Sequence, residues 1–230
     1  MKGEVKEVKA VKEVKDQRWT RVDGYATRAL LKADPALDAA RVASEKAGLP
    51  AISVSPLQGA FLYVIARATK PRAILEIGTL GGYSTIWLAR ALEPGGGLIT
   101  LEYERKHADV ARKNIDRAGI GDRVEIKVGK ALDALPSLSG PFDVVFIDAD
   151  KPSTTEYFQW AVKLARPGSV IVVDNVVRDG AIGDDKTKDE DALGMRRFLE
   201  AAGREPRVAV SVIQTVGDKG YDGFAVAVVL

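Results

Sequence analysis

The segment Phe142–Lys151, with the sequence FDVVFIDADK, is followed further along the chain by Val170–Asn175, with the sequence VIVVDN. Each segment is a short apolar run, rich in β-branched residues, that ends in carboxylates. This pattern is typical of a buried parallel strand that delivers polar side chains to the edge of a sheet. If the two strands are neighbours, Asp148, Asp174 and Asn175 lie together. Ligands of open α/β sheets bind beyond the carboxyl ends of the strands, so we expect the functional site there.

Strand and helix patterns alternate around these two segments, which predicts an α/β fold with a doubly wound, Rossmann-like sheet. Five parallel strands are predicted at Ala73–Ile77, Leu98–Leu101, Val124–Val128, Val144–Ile147 and Val170–Val173. Val208–Val216 and Phe224–Val229 are separated only by a turn rich in Gly and Asp, so we expect an antiparallel hairpin there. The hairpin brings the mostly parallel sheet to seven strands.

The length and the N-terminal composition predict one domain behind a tail. Met1–Arg18 is a low-complexity stretch of Lys, Glu and Val, and we interpret it as a flexible charged tail. The pattern becomes helical and rich in alanine from Trp19 to Ala47, with Pro35 as a first-turn residue. We therefore predict a single domain over residues 19–230.

The composition excludes several classes of site. The chain has no cysteine, which excludes disulfides, thiolate nucleophiles and Cys-ligated zinc. Its single histidine, His107, excludes a multi-histidine metal site, and we interpret it as a surface residue without a role. The formal net charge of +2 gives no reason to expect a nucleic-acid surface. There is neither a long apolar run nor a signal-peptide core, so we expect a cytoplasmic protein that does not contact membranes.

A glycine-rich connection, Glu76–Ser84 with the sequence EIGTLGGYS, follows the first strand. Glycines let the backbone approach a ligand, and the next helix offers free N–H groups. The dinucleotide fingerprint requires glycine where Leu80 and Tyr83 stand, so a pyrophosphate is not favoured. Glu102 ends the next strand, where a carboxylate can accept hydrogen bonds from both hydroxyls of a ribose. A nucleoside without a pyrophosphate indicates S-adenosylmethionine, although each feature alone is also typical of a tight turn and a solvated strand end.

The acidic strand ends predict a cation site. Asp148 and Asp174 offer anionic oxygens and Asn175 a neutral carbonyl oxygen, a set that suits Mg²⁺, with Ca²⁺ or Mn²⁺ as alternatives. Lys151 lies three residues after Asp148. A lysine beside a dication and a substrate loses its proton more readily and can act as a base near neutral pH. Taken singly, acidic strand ends also occur as helix caps, and loop lysines are commonly solvated.

Together these motifs resemble the cation-dependent O-methyltransferase family, which contains caffeoyl-CoA and catechol O-methyltransferases. The resemblance runs from about Val54 to Leu230. It rests on the glycine-rich connection, FIDADK, the Asp-Asn pair and the late Tyr221-Asp222-Gly223, in the family's order. It implies a class I methyltransferase fold, a homodimer, and methyl transfer to one oxygen of a vicinal diphenol, either a small molecule or an acyl-CoA phenol.

The resemblance also implies roles for individual residues. The S-adenosylmethionine site would be formed by Val54, Glu76, Gly78, Thr79, Ser84, Glu102, Ala131, Asp148 and Asp150. Asp148, Asp174 and Asn175 match the metal ligands, and Lys151 matches the catalytic lysine, beside which Asp148 is counted as catalytic. Two departures concern the acceptor: Arg178 stands where the family often has tryptophan, and Asp179 where plant members use asparagine.

The mechanistic hypothesis is that Lys151 removes a proton from a phenol bound beside the cation, after which the oxygen attacks the sulfonium methyl in line. A methyltransferase with another acceptor, such as a hydroxamate, a small metabolite or RNA, is the nearest alternative. The weak charge bias disfavours RNA. A non-catalytic S-adenosylmethionine-binding protein is the other alternative, but it has no need of both acids, the amide and the lysine together.

Overall fold

The computed structural model describes residues 17–230, and its centre is a sheet of seven strands. The strands are β1 (Ala73–Ile77), β2 (Gly97–Glu102), β3 (Val124–Val128), β4 (Phe142–Ile147), β5 (Ala165–Asp174), β6 (Val208–Gly217) and β7 (Gly220–Val229). Their order is β3-β2-β1-β4-β5-β7-β6. The pairs among β1 to β5 are parallel, whereas β7 is antiparallel to both β5 and β6. The predicted Rossmann-like sheet with a C-terminal hairpin is confirmed.

Helices connect these strands. Residues 17–30 are helical (α1), followed by α2 (Pro35–Lys46), α3 (Pro56–Thr69), α4 (Tyr83–Ala91), α5 (Arg105–Arg117), α6 (Ala131–Ala134), α7 (Thr154–Leu164) and α8 (Glu190–Arg204). None of the described helices is long and apolar enough to span a bilayer. The predicted tail, Met1–Arg18, lies outside the described residues except for its last two, which belong to α1. Pro35 opens α2 as predicted, because the Asp34 carboxylate before it accepts the first free N–H groups.

Strand β4 is buried on both of its faces, which explains its continuous apolar sequence. Val144 and Phe146 pack into a core with helices α2 to α5, whereas Val145 and Ile147 pack into a core with α7 and α8. Burial of one such side chain contributes roughly 1.5–3 kcal/mol. The two cores hold β4 and its neighbours rigidly, so the residues directly after the strands have well-defined positions.

The two acid-ended strands are neighbours, as predicted. Ile147 of β4 pairs with Val173 of β5, so Asp148 and Asp174 leave the sheet side by side. The N–H of Asp148 donates to the carbonyl of Ile77 at 2.9 Å, which brings the end of β1 to the same place. The topology therefore joins the glycine-rich connection and both acids at one edge.

Strands β5 and β7 are longer than the apolar pattern predicts. Strand β7 begins at Gly220 rather than Phe224, because Tyr221 and Asp222 pair with Val216 and Thr215 of β6. Backbone hydrogen bonds to the neighbouring strand carry these polar residues into the sheet, and apolar periodicity does not detect them. The extension places Asp222 beside the end of β5.

Candidate functional site

The glycine-rich connection is packed directly against the end of β4. Gly78 has φ +101°, and a Cβ at this position would lie 2.0 Å from the carbonyl oxygen of Asp148. A side chain at this residue therefore requires the backbone to move. Gly82 also has a positive φ, +79°, and stands at the start of α4. The backbone of the connection thus lies so close to the backbone after β4 that residue 78 must be glycine.

Glu102 is held by the same connection. Its Oε2 accepts the N–H groups of Thr79 at 3.1 Å and Leu80 at 2.8 Å. Its Oε1 accepts the N–H of Glu104 at 2.9 Å and lies 3.3 Å from Nδ1 of His107. His107, interpreted from the sequence as a surface residue, is half-buried: 20% of its side chain is exposed, and it lines a cavity with Glu102. Sequence periodicity places this histidine on α5 but does not show the contact.

Glu76 lies beneath the connection and is fully buried. Its Oε1 accepts the hydroxyl of Ser84 at 2.6 Å, and its Oε2 accepts those of Thr85 at 2.5 Å and Thr100 at 2.7 Å. Burial raises the pKa of Glu76 from 4.5 to about 7, against the opposing effect of these hydrogen bonds. Glu76 therefore fixes the position of Ser84 and of the first turn of α4 through these hydrogen bonds.

Glu76→Gln is expected to flatten the pH dependence of stability. Because the pKa of Glu76 is higher in the folded protein, the folded state binds more protons than the unfolded state between pH 4.5 and about 7, so wild-type stability falls as pH rises through that window. The shift corresponds to about 3 kcal/mol. Urea unfolding at pH 5 and pH 8 measures the difference, with the exposed Glu125→Gln as control. Parallel pH profiles for wild type and Glu76→Gln would contradict it.

The acidic end of the site brings three titratable side chains, Asp148, Lys151 and Asp174, close enough to influence one another. Asp174 is 3% exposed, and its pKa rises to about 8 because of burial and the nearby charge of Asp148. Lys151, 7% exposed, donates from Nζ to Oδ1 of Asp148 at 2.9 Å. Asn175 adopts φ +59° and donates its N–H to Oδ1 of Asp174 at 2.7 Å. Both acids, the amide and the lysine are thus brought together.

The residues at this end fit a hard divalent cation. Within residues 17–230 no group of three or more acidic or histidine side chains gathers in metal-binding range. The candidate set is instead two carboxylates and one amide, which leaves positions for water and substrate, as Mg²⁺ prefers. Two close, largely buried carboxylates repel each other unless positive charge lies between them. The donor chemistry therefore matches the predicted cation.

Two cavities share walls at this place. The larger, of about 1190 Å³, is lined by Val54, Gly78, Thr79, Ser84, Glu102, Ala131, Asp148, Asp150 and Lys151, among others. Of the predicted cofactor residues, Glu76 alone is not in its lining. The smaller, of about 410 Å³, contains Asp174 in its lining. Val54 and Asn175 line both cavities, whereas Asp148 lines the larger and Asp174 the smaller. The two acids therefore lie where a space large enough for a nucleoside adjoins a space large enough for an aromatic ring.

Other residues in the cavity walls were not identified from the sequence as site residues. The hydroxyl of Tyr157 donates to Oδ1 of Asp150 at 2.5 Å, and burial raises the pKa of this phenol. Phe61 of α3 stacks on Phe224 of β7, with ring centroids 5.1 Å apart, and both line the smaller cavity. Their apolar character marks them as core residues in the sequence. Only the packing of α3 on the hairpin turns them into a cavity wall.

Comparisons with known proteins identify the family of this chain. The family model described as O-methyltransferase matches residues 30–222. The catechol O-methyltransferase of Mycobacterium tuberculosis is 56% identical over 209 residues, which cover 90% of this chain and 94% of that protein. The catechol O-methyltransferase of Niastella koreensis is 53% identical over 218 residues, covering 93% and 99%. The crystal structure of the O-methyltransferase from Bacillus cereus in complex with S-adenosylhomocysteine is 51% identical, with a TM-score of 0.92, and the match covers 94% of this chain and 100% of that one.

Proposed function

The chain belongs to the O-methyltransferase family and is an S-adenosylmethionine-dependent O-methyltransferase, and from that premise we propose that it methylates one hydroxyl of a vicinal diphenol with the help of a divalent cation. The observation that carries the proposal is the meeting of Asp148, Lys151, Asp174 and Asn175 between the two cavities. Two relatives named catechol O-methyltransferase support a diphenol. A phenol carried on an acyl-CoA is the alternative acceptor.

The larger cavity suits the methyl donor. Its volume of about 1190 Å³ exceeds the roughly 300–1,000 Å³ of most small-molecule sites and is ample for a nucleoside, and Glu102 stands at the end of β2 with its carboxylate oriented by two backbone N–H groups. We propose that Glu102 accepts the ribose hydroxyls and that Asp150, oriented by Tyr157, contacts the same ligand. Gly78 allows the ligand to approach the backbone, and Glu76 acts indirectly by positioning Ser84.

Lys151 is proposed as the base. It is nearly buried and lines the larger cavity, and the carboxylate of Asp148 holds its Nζ at 2.9 Å, so the position of the amine is defined. In its neutral amine form, Nζ would take the proton of one phenol hydroxyl, which increases the nucleophilicity of that oxygen toward the methyl group. A divalent cation held by Asp148, Asp174 and Asn175 would supply Lewis-acid stabilisation of the phenolate and a template for its two oxygens.

Methyl transfer in the presence and absence of metal tests the proposal. The protein is incubated with methyl-labelled S-adenosylmethionine and catechol, with Mg²⁺ or with excess EDTA. We expect a labelled monomethyl ether that disappears on chelation and returns when Mg²⁺ is restored. Unchanged activity in EDTA would contradict the role of the cation. Cofactor binding by calorimetry without methylation of any diphenol would contradict the acceptor class.

We also propose a homodimer located in the cytoplasm. Strand β6 lies at the edge of the sheet, where unpaired backbone groups are available for pairing. Ile213 of β6 and Val228 of β7 lie on the same face of the sheet and are 48% and 40% exposed, an apolar surface that a second copy could cover. Sedimentation equilibrium would contradict the dimer if the protein remained monomeric at micromolar concentration, and cell fractionation tests the location.

A further inference from the structure

We propose that Arg178 and Lys219 make the smaller cavity select diphenols that carry an anionic ring substituent, specifically a carboxylate. The inference rests on the proposed function, because it concerns the acceptor of that reaction. Arg178 and Lys219 are the two cationic side chains in the described lining of the smaller cavity, and both also line the larger one. They therefore belong to the wall that the two cavities share.

The acidic side chains of the smaller cavity already have donors. Oδ1 of Asp222 accepts the N–H groups of Val177 at 3.0 Å and Arg178 at 3.1 Å. Oδ2 of Asp23 accepts the N–H of Asp218 at 2.9 Å, and the carboxyl groups of these two residues also share a hydrogen bond. The third acid, Asp174, belongs to the proposed cation site. Backbone N–H groups thus occupy Oδ1 of Asp222 and Oδ2 of Asp23, which leaves fewer free acceptors for a cationic substituent.

The cationic side chains retain donor capacity. Nη2 of Arg178 binds Oδ2 of Asp191 at 2.8 Å and its Nε is buried out of reach of a ligand, so Nη1 is the nitrogen that has no acceptor among residues 17–230 and is open to a ligand. Nζ of Lys219 donates to the carbonyl of Ala51 at 3.1 Å and forms no ion pair with a described carboxylate. A guanidinium has five N–H donors and an ammonium three. Lys219 is exposed and the Arg178 side chain is 28% exposed, so water satisfies their remaining donors, and a carboxylate on the acceptor would replace that water with charge-assisted hydrogen bonds.

The backbone around Arg178 supports a specific placement. Asn175, Arg178 and Asp179 have φ values of +59°, +55° and +52°, and they are three of the five non-glycine residues with positive φ among residues 17–230. This conformation is uncommon for residues with side chains and is found preferentially at functional sites. Asp222 stabilises it by accepting the N–H of Arg178. The fold therefore holds Arg178 at the cavity instead of leaving it as a free surface residue.

Three acceptors of similar shape test the selectivity: 3,4-dihydroxybenzoate, its methyl ester, and 3,4-dihydroxybenzylamine. We expect Arg178→Gln to lower kcat/KM for the acid by about tenfold or more, because a charge-assisted hydrogen bond is lost. The ester should change by about twofold at most. Ring substituents alter the acidity of the hydroxyls, so the ratio of kcat/KM for the acid to kcat/KM for the ester is compared between the wild type and each variant. Lys219→Gln should lower the ratio in the same direction, and Arg178→Lys should restore part of it.

Arg196→Gln is the matched control, because Arg196 binds Asp184 and Asp185 in the segment before α8 but lines neither cavity.

An equal loss of kcat/KM for all three acceptors in Arg178→Gln would assign Arg178 a purely structural role and overturn the inference. So would a preference of the wild type for the amine. The coenzyme A thioester of the acid serves as a further acceptor. If Arg178→Gln lowered kcat/KM for this thioester alone, Arg178 would bind the phosphates of coenzyme A and not a ring carboxylate, which would overturn the inference. If all diphenols are methylated without dependence on Arg178, only this inference fails; if none is methylated, the proposed function fails as well.

Discussion

Asp174→Asn is expected to lower kcat/KM for the diphenol by about 10³-fold, since Lewis-acid stabilisation by a cation is worth several kcal/mol. The substitution removes one negative charge from the proposed cation site while keeping an oxygen that can accept the N–H of Asn175. The loss should appear with Mg²⁺ at saturation for wild type and be reduced at much higher Mg²⁺. Asp109→Asn, an exposed acid on α5, is the control and should retain activity.

The same variant should become more stable without metal. The pKa of Asp174 rises from 3.8 to about 8 in the folded protein, so its charge opposes folding increasingly as pH rises through that window. Asp174→Asn removes this penalty, and in EDTA its melting temperature near pH 8 should exceed that of wild type. Mg²⁺ should stabilise wild type but not the variant. A fully active variant that Mg²⁺ still stabilises would contradict Asp174 as a ligand.

Lys151→Met is expected to lower kcat by about 10²–10⁴-fold, the usual contribution of a positioned general base. Binding of S-adenosylhomocysteine, measured by calorimetry, should weaken much less. The remaining activity should increase as pH rises, because the phenol then ionises without the base. Lys163→Met, an exposed lysine on α7, is the control.

Lys151→Arg separates the charge of Lys151 from its role as a base. Arginine can maintain an ion pair with Asp148, but its guanidinium does not release a proton in proteins. We therefore expect this variant to be as slow as Lys151→Met while keeping its stability. Near wild-type activity in Lys151→Arg would show that positive charge, and not proton removal, is what the reaction needs.

The strands and their acidic ends were predictable because both signals are local. A β-branched apolar run identifies β4 and β5 wherever they lie, and parallel strands end on one side of a sheet. Adjacency of Asp148 and Asp174 then requires only that the two strands be neighbours, which their sequential order favours. The requirement for glycine at Gly78 could also be anticipated, although the atom that enforces it, the carbonyl of Asp148, could not.

The sequence by itself determined the succession of strands and helices along the chain, the chemical type of the groups at the strand ends, and the family that the chain resembles. The tertiary structure alone decided that Glu76 is buried behind the site, that His107 faces Glu102 and that Tyr157 orients Asp150. It also decided that α3 and the hairpin form a wall of the smaller cavity. The physical reason is range: periodicity reports how neighbours along the chain share a face, whereas the burial, hydrogen bonds and charge of a side chain depend on residues that only packing brings near it.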